Sequence, residues 1–146
     1  TFSKAWSVAG MRLGYLLADP ALVEEFIKVK LPYNLGHAGV AVGEVALAEH
    51  RVAERRVRLL VARRAQWARM LGACGLEVFP SEANFVLVRA PGGSAGAQRV
   101  RDGLSARGVR VRDLCGVAGL EGCLRVSVGD GAALRAVHAA LLEIGP

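Results

Sequence analysis

The first twelve residues contain side chains that could bind a phosphate and an aldehyde. Thr1 and Ser3 place two hydroxyls beside the ammonium of Lys4, and Arg12 follows eight residues later, after a glycine-containing turn. Hydroxyl donors and a guanidinium fork suit a phosphate. A lysine near a bound phosphate can form a Schiff base with an aldehyde on the same ligand, and pyridoxal 5′-phosphate carries both groups. The alternative is an ordinary surface loop, because a Ser-Lys pair with a later arginine also arises by chance.

The elements around these residues are predicted to be a strand and then helices. Residues 12–18 form a short apolar run that predicts a buried strand. Asp19 can cap a helix that begins at Pro20, and residues 31–36 interrupt that helix with proline, asparagine and glycine. A helical pattern over about 38–72 then predicts a long helix that could join two domains, with a bend or break near 49–53.

From Gly75 onward the pattern predicts a small α+β domain. Strand-like runs flank Pro80, residues 92–96 predict a loop, and the next helix is expected to stop at Gly108. Two alternating segments follow, VRVRDL and CLRVSVG, and the chain closes with the amphipathic pattern GAALRAVHAALLEIG. The order strand, helix, strand, strand, helix predicts a small mixed or antiparallel sheet with helices over one face.

The composition indicates a globular protein and argues against nucleic-acid or membrane binding. Hydrophobic residues make up 53% of the 146 residues and charged residues 22%, which is typical of core-forming domains. The net charge is +6, but aromatic residues are only 5%, whereas nucleic-acid readers combine basic patches with stacking aromatics. The basic run over residues 50–69 is therefore interpreted as a solvated helix face, with a nucleic-acid-binding module as the alternative. No apolar run approaches the roughly 20 residues of a membrane span.

The cysteines and histidines suggest neither a disulfide framework nor a metal site. The cysteines form no CxxC pair, are odd in number and lack zinc-like spacing to a histidine. With no secretory signal in the sequence, this pattern fits a reducing cytoplasm. The residues concerned are Cys74, Cys115, Cys123, His37, His50 and His138.

Several segments, in chain order, resemble the fold-type I pyridoxal-phosphate-dependent aminotransferases. The active-site lysine segment of that family is similar to SKAWSVAGMRLGYLLAD, its domain-joining segment to LPYNLG, and its first small-domain strand to PSEANFVLVR. The histidinol-phosphate aminotransferase branch ends its small domain with two arginines thirteen residues apart, which VRDL and CLRVSVG resemble here. The resemblance implies an α/β fold in which residues 1–30 end the large cofactor-binding domain and residues 31–146 form the small domain.

The resemblance also assigns roles to the first segment. Lys4 matches the Schiff-base lysine, and Thr1, Ser3 and Arg12 match the groups that hold the cofactor phosphate. It implies that an amino substrate displaces Lys4, which then moves a proton between the substrate carbon and the cofactor carbon. A 2-oxo acid such as 2-oxoglutarate would accept the amino group in the second half of the reaction.

Arg125 is the residue that the resemblance assigns to the anionic group of the substrate. On an alternating strand its side chain can point away from those of Leu124 and Val126. A buried arginine is costly unless it meets an anion. The alternative is a salt bridge to Glu121 or Asp130.

Arg112 and Asn84 complete the expected substrate site. The resemblance implies that Arg112 joins Arg125, because two arginines suit a phosphate dianion or alternating carboxylates. Asp113 is adjacent to Arg112, however, and Arg110 could point inward instead. Asn84 is expected to line the site, with a turn or capping role as the alternative.

Parts of the family's active site lie upstream of the lysine and do not occur in this sequence: the aspartate for the pyridine nitrogen, the ring-stacking residue and the phosphate loop. We therefore expect the C-terminal part of a homodimeric subunit that is inactive by itself. Three alternatives stay open. They are an aminotransferase for aromatic amino acids, a phosphothreonine-type decarboxylase, and a non-catalytic ligand-sensing domain of the same ancestry.

Overall fold

A computed structural model describes residues 1–145, which divide into two compact units. The first unit is Thr1–Arg58, and the second begins at Leu59, inside one long helix. The assignment of residues 1–30 to a large domain and of residues 31–146 to a small domain stays a prediction.

The helices of the first unit begin and end where local signals place them. Asp19 caps the first helix with its Oδ1 atom, which accepts a hydrogen bond from the backbone N–H of Ala21 at 2.9 Å, and Pro20 occupies the first turn. The long helical pattern is two helices, because the backbone leaves the helical conformation at Glu49; the predicted break near 49–53 is confirmed. The elements are a 3₁₀ turn at Ala9–Met11, α1 at Pro20–Val29, α2 at His37–Ala48 and α3 at His50–Ala73, the last of which continues into the second unit.

The predicted buried strand over residues 12–18 is wrong. Residues 13–19 adopt no regular secondary structure, and Leu17 is 84% exposed. A strand needs a neighbour to pair its backbone N–H and C=O groups. Within residues 1–145, no backbone hydrogen bond reaches residues 14–18. Only Leu13 is buried, at the start of the run.

The second unit contains a four-stranded antiparallel sheet in the order β1-β2-β4-β3. The strands are β1 at Glu77–Val78, β2 at Phe85–Arg89, β3 at Arg112–Asp113 and β4 at Cys123–Ser127. Two helices accompany it, α4 at Gly93–Ala106 and α5 at Gly131–Ile144. The predicted α+β layout is confirmed, and the sheet is antiparallel throughout.

One face of this sheet packs against helices and forms the core. Along β2, and along β4 from Leu124 onward, the buried residues alternate with less buried ones, as a two-faced sheet requires. Cys123, at the start of β4, is buried as well. The indole N–H of Trp67 in α3 also donates to the carbonyl of Gly129 at 3.3 Å, which joins the helix to the segment after β4. The most deeply buried members are Trp67, Leu71, Val86, Val88, Val100, Leu104, Leu124 and Leu141. The opposite face, called the open face below, carries Phe85, Leu87, Arg125 and Ser127.

The predicted loop at residues 92–96 is instead the beginning of α4. Gly92 is the residue before the helix and has a left-handed backbone, with φ 81°. A side chain at Gly96 would place its Cβ atom 1.8 Å from the carbonyl oxygen of Pro91. The glycines therefore permit a tight entry into the helix, and do not mark a loop as the composition suggested.

No helix within residues 1–145 is both long and apolar enough to cross a bilayer. The same residues contain no group of three or more His, Cys, Asp or Glu side chains arranged to hold a metal ion.

Candidate active site

Thr1 and Ser3 lie together at the start of a closed loop. The hydroxyl of Thr1 donates to the hydroxyl of Ser3 at 2.8 Å, and the backbone N–H of Ser3 donates to Thr1 Oγ1 at 3.2 Å. The backbone N–H of Phe2 donates to the carbonyl of Leu13 at 3.1 Å, which closes the loop over residues 2–13. The closure brings residue 12 back toward the two hydroxyls.

Arg12 and Ser7 have strained backbones in this loop. Their φ angles are 53° and 60°, and within residues 1–145 they are the only non-glycine residues with positive φ. Such conformations are uncommon outside glycine and concentrate at functional sites. Arg12 is held there by a hydrogen bond from its Nη1 to the carbonyl of Ala9 at 3.3 Å. The strain is thus confined to the loop that contains Lys4.

Lys4 is exposed and is not neutralised by a carboxylate. It begins the turn that Ser7 closes, with the Ser7 backbone N–H donating to the Lys4 carbonyl at 3.1 Å. Within residues 1–145 its ammonium has no salt bridge. Two hydroxyls, a guanidinium and an uncommitted amine suit a ligand that carries both a phosphate and an aldehyde. Pyridoxal 5′-phosphate fits these residues.

Aromatic packing fixes the loop on α2. Phe2 is 4% exposed, and its ring lies 4.8 Å from the ring of Trp6 between centroids. The indole N–H of Trp6 donates to the carbonyl of Ala46 in α2 at 3.1 Å. Gly43 allows Leu13 to approach the same helix, because a Cβ atom at Gly43 would meet Leu13 Cδ2 at 2.8 Å. These contacts give Lys4 a rigid base in the first unit.

The second group of predicted residues lies on the open face of the sheet. Arg112 in β3 stands directly opposite Arg125 in β4, although like charges in this relation destabilise a sheet. Both side chains are exposed. The guanidinium of Arg125 lies over the ring of Phe85, with Cζ 5.1 Å from the ring centroid. Lys4 belongs to the first unit, and this pair of arginines belongs to the second.

The salt-bridge alternative for Arg125 does not occur within residues 1–145. Glu121 instead accepts a hydrogen bond from the Gly119 backbone N–H at 3.0 Å. Asp130 caps α5 by accepting from the Ala133 backbone N–H at 2.9 Å. Backbone N–H donation, from Ala133 first, lowers the pKa of Asp130 below its ordinary value. Both carboxylates therefore accept hydrogen bonds from backbone N–H groups, and neither pairs with Arg125.

Asp113 is likewise engaged by groups other than Arg112. Its Oδ1 accepts from the Cys115 backbone N–H at 2.8 Å, and its Oδ2 lies 2.6 Å from Arg101 Nη1. Donation from Cys115 first, and then from Arg101, lowers the pKa of the Asp113 carboxyl. Arg110 lies in a separate depression beside Arg101. Arg112, and not Arg110, therefore stands opposite Arg125.

Asn84 immediately precedes β2 and extends its pairing with β4. Its carbonyl accepts from the Val128 backbone N–H at 3.0 Å, and its side chain is exposed. The turn before it is made by Ser81, whose hydroxyl donates to the Phe85 carbonyl at 2.6 Å and accepts from the Ala83 backbone N–H at 3.1 Å. The turn role considered for Asn84 therefore belongs to Ser81.

Two residues that hold the segment before β2 and the side chain of Arg125 in place were not predicted from the sequence. Arg64 in α3 is 9% exposed; it donates to the Ala83 carbonyl at 3.1 Å and pairs with Glu82 at 2.6 Å, which fixes the segment before β2. The ring of Phe85 lies under the guanidinium of Arg125. The partial signal for Phe85 was the alternation of β2, but the strand register that brings it to Arg125 is not visible in the sequence.

Comparison with known proteins finds similar sequences over nearly the whole chain. Residues 1–141 match the family described as aminotransferase class I and II. Histidinol-phosphate aminotransferase 2 of Nitrosococcus oceani is 40% identical over 131 residues, which cover 88% of this chain and 36% of that protein. The histidinol-phosphate aminotransferase of Chromobacterium violaceum is 43% identical over 132 residues, which cover 89% of this chain and 36% of that protein.

A solved structure gives the same result for the fold. The crystal structure of histidinol-phosphate aminotransferase from Sinorhizobium meliloti, in complex with pyridoxal 5′-phosphate, matches with a TM-score of 0.88 at 33% identity; the match covers 99% of this chain and 39% of that one. The cofactor predicted from the sequence is the one bound in that neighbour. The predicted fold class, a mixed α/β chain with a small antiparallel sheet that is similar to fold-type I transferases, is confirmed. Together with the match over residues 1–141, this shows that the chain belongs to the class I and II aminotransferase family.

Proposed function

We propose that this chain carries the cofactor-anchoring lysine and the substrate-recognising arginines of a pyridoxal-phosphate-dependent aminotransferase. The observation that carries the proposal is the loop closed by the Phe2–Leu13 hydrogen bond. It contains Lys4, whose ammonium has no salt bridge within residues 1–145, and its two ends carry the hydroxyls of Thr1 and Ser3 and the guanidinium of Arg12. The reaction would move an amino group between a phosphorylated amino substrate such as histidinol phosphate and 2-oxoglutarate.

Each polar residue of the loop has a proposed role that follows from its chemistry. When bound, pyridoxal 5′-phosphate supplies an aldehyde for amino groups and a ring that takes up electrons. Thr1 and Ser3 donate hydroxyl hydrogen bonds to its phosphate, and Arg12 adds a charged donor pair. Lys4 Nζ would bind the aldehyde. As a free amine, the same nitrogen would serve as the base that moves a proton at the substrate carbon.

Arg125 and Arg112 recognise the anionic end of the substrate. Two arginines at directly opposite positions of neighbouring strands repel each other unless both bind one anion, so the pair favours a dianion over a neutral side chain. A phosphate monoester meets this requirement, and a dicarboxylate such as 2-oxoglutarate meets it in the second half of the reaction. Support for the phosphorylated substrate comes from the histidinol-phosphate aminotransferases that this chain resembles. Asn84 would line the same site.

The remaining features of the proposal concern the whole protein. The chain spans 31% to 39% of the length of the curated relatives with which it was compared. We propose a cytoplasmic homodimer that acts in histidine biosynthesis, in which residues 1–30 belong to the large domain and residues 31–146 to the small domain. We expect that the 146 residues alone do not form a complete active site. A turnover assay of the chain with histidinol phosphate should therefore detect no reaction.

Reductive labelling tests the role of Lys4. The chain is mixed with pyridoxal 5′-phosphate, reduced with borohydride and digested, and the labelled peptides are identified by mass spectrometry. We expect one stoichiometric label on Lys4. Lys28 and Lys30 are internal controls, because Lys28 pairs with Glu25 and Lys30 Nζ donates to the Leu31 carbonyl at 3.1 Å.

A second variant separates recognition from general lysine reactivity. Arg12→Gln removes the charged phosphate donor and leaves Lys4 in place, so labelling of Lys4 should fall while that of Lys28 and Lys30 does not. Labels distributed equally over the three lysines in the unaltered chain would contradict the assignment of Lys4.

A further inference from the structure

We infer that Phe85 is a positioning residue, which holds the guanidinium of Arg125 in place while its N–H donors stay free for the substrate anion. This inference rests on the proposed function, since it concerns the same arginine. The Arg125 Cζ atom lies 5.1 Å from the centroid of the Phe85 ring. Phe85 is paired with Ser127 and Arg125 with Leu87, so Phe85 and Arg125 are diagonal neighbours on one face of the sheet.

An aromatic ring attracts a guanidinium through its π face and offers no lone pair that would take up a conventional hydrogen bond. The five N–H donors of arginine are therefore left for other acceptors. Within residues 1–145, Arg125 has no salt bridge, and Phe85 is the aromatic ring over which it lies. The contact with Phe85 therefore orients Arg125 without occupying the donors that a phosphate or carboxylate needs.

A second arginine in the same unit also lies over an aromatic ring, but it has a carboxylate partner as well. The Arg89 Cζ atom lies 5.0 Å from the centroid of the Phe79 ring, almost the same distance as in the other pair. Arg89, however, also donates to Glu77 Oε2 at 3.2 Å. The difference that matters for anion binding is that Arg89 already has a carboxylate and that Arg125 has none within residues 1–145.

The ring of Phe85 is well placed to act as a fixed support. Phe85 is half-buried, and its backbone carbonyl accepts a hydrogen bond from the Ser81 hydroxyl at 2.6 Å. Arg112, directly across from Arg125, would otherwise repel that guanidinium from the site before an anion arrives. The stack opposes this repulsion, so part of the cost of ordering a long side chain is met before binding.

The test measures the stack and the anion site separately in the 146-residue chain. Arginine Nε–Hε signals are recorded by NMR on the unaltered chain and on Phe85→Leu, Phe85→Tyr and Phe79→Leu, with Arg125→Lys used to identify the Arg125 signal. Each protein is then titrated with inorganic phosphate at constant ionic strength. The Kd is read from the Arg112 Nε–Hε signal, identified with Arg112→Lys, because Thr1, Ser3 and Arg12 offer phosphate a second site in this chain. Leucine keeps most of the volume of Phe85, and tyrosine keeps the ring.

We expect Phe85→Leu to remove the ring-current shift of the Arg125 signal and to raise the phosphate Kd about two- to fivefold, the size of one cation–π contact at an exposed site. Phe85→Tyr should have the same ring-current shift of the Arg125 signal and the same phosphate Kd as the unaltered chain. Phe79→Leu should change the Arg89 signal and leave the phosphate Kd unaltered.

Two distinct results would overturn the inference. An Arg125 signal that is the same in Phe85→Leu and in the unaltered chain would show that the stack does not orient the arginine. A phosphate Kd that is the same in Arg125→Lys and in the unaltered chain would instead show that Arg125 is not part of an anion site. That result would contradict this part of the proposed function, even if the Arg125 signal of the unaltered chain carries the ring-current shift.

Discussion

Asp113 ties the short strand β3 to the rest of its unit through two charge-assisted contacts. It accepts a hydrogen bond from the Cys115 backbone N–H at 2.8 Å and pairs with Arg101 at 2.6 Å. Both contacts favour the ionised carboxylate and lower the pKa of Asp113, with the backbone donor the larger cause. Because Arg112 is the preceding residue, the carboxylate also fixes the backbone from which one of the two proposed substrate arginines projects.

Asp113→Asn should lower the free energy of unfolding by about 1 kcal/mol at pH 7, since a partly exposed charged pair contributes at the low end of the usual range. The folded pKa of Asp113 is depressed, so its contribution is present above the unfolded value of about 3.9 and is lost as the pH falls through the folded value. Urea unfolding at pH 7 and at pH 3 should show the difference between the two proteins shrinking at the lower pH.

Asp102→Asn is the matched control for this experiment. Asp102 also pairs with Arg101, at 2.8 Å, but its side chain is 58% exposed. An exposed pair contributes little, so this variant should differ from the unaltered chain by less than Asp113→Asn does. An equal loss in both variants would contradict the role given to Asp113.

At the scale of elements, the entry into α4 depends on close contact between two backbone segments. Gly96 lies in the first turn of the helix and is buried, and a Cβ atom there would sit 1.8 Å from the Pro91 carbonyl oxygen. The obstructing atom belongs to the backbone, so a side-chain rotation cannot relieve the overlap. The chain must therefore shift either α4 or the end of β2 to accommodate any larger residue.

Gly96→Ala should destabilise the second unit by about 2 kcal/mol or more, because overpacking against a fixed backbone costs about 1–3 kcal/mol and the usual helical advantage of alanine over glycine, about 1 kcal/mol, is not enough to offset it. Denaturant unfolding is followed by fluorescence in a Trp6→Phe background. The remaining tryptophan, Trp67, is 2% exposed and reports on this unit.

Gly116→Ala serves as the control, since no atom lies within 4 Å of a Cβ atom at that position. It should leave the unfolding midpoint nearly unchanged. If Gly96→Ala were as stable as Gly116→Ala, the close contact between Gly96 and Pro91 would not exist in solution.

At the scale of the whole molecule, the two units differ in how much apolar surface they bury. All members of the main core lie between Trp67 and Leu141, in the second unit. In the first unit, α1 has no buried residue, while Leu17 is 84% and Tyr33 98% exposed. Because burial of apolar surface is the main source of stability, the free energy of local opening should be lower in the first unit.

Hydrogen exchange should reveal this difference directly. We expect the amides of α1 to exchange about tenfold or more faster than those of β2 and β4, because regions with few buried apolar contacts open at lower free energy. Mass spectrometry of peptides from the two regions measures both in one sample. Equal protection of α1 and β4 would show that the first unit buries more surface in solution than the structure gives it.

Local signals in the sequence determined most of the helix ends and the faces of the strands. Asp19 and Pro20 start α1 and Gly108 follows α4, because capping and backbone preference act between neighbouring residues. The alternation in CLRVSVG correctly separated Arg125 from the buried Leu124 and Val126, because successive side chains of a strand point to opposite faces.

Contacts between distant segments could be decided only by the tertiary structure. The apolar run over residues 12–18 has the composition of a strand, but a strand forms only where a second one pairs with it. The placement of Arg112 opposite Arg125, and of Phe85 beside Arg125, depends on strand register. Register is a relation between segments that the composition of either one leaves open. The sequence therefore determined which residues could hold a phosphate, an aldehyde and an anion, and the fold decided which side chains stand next to them.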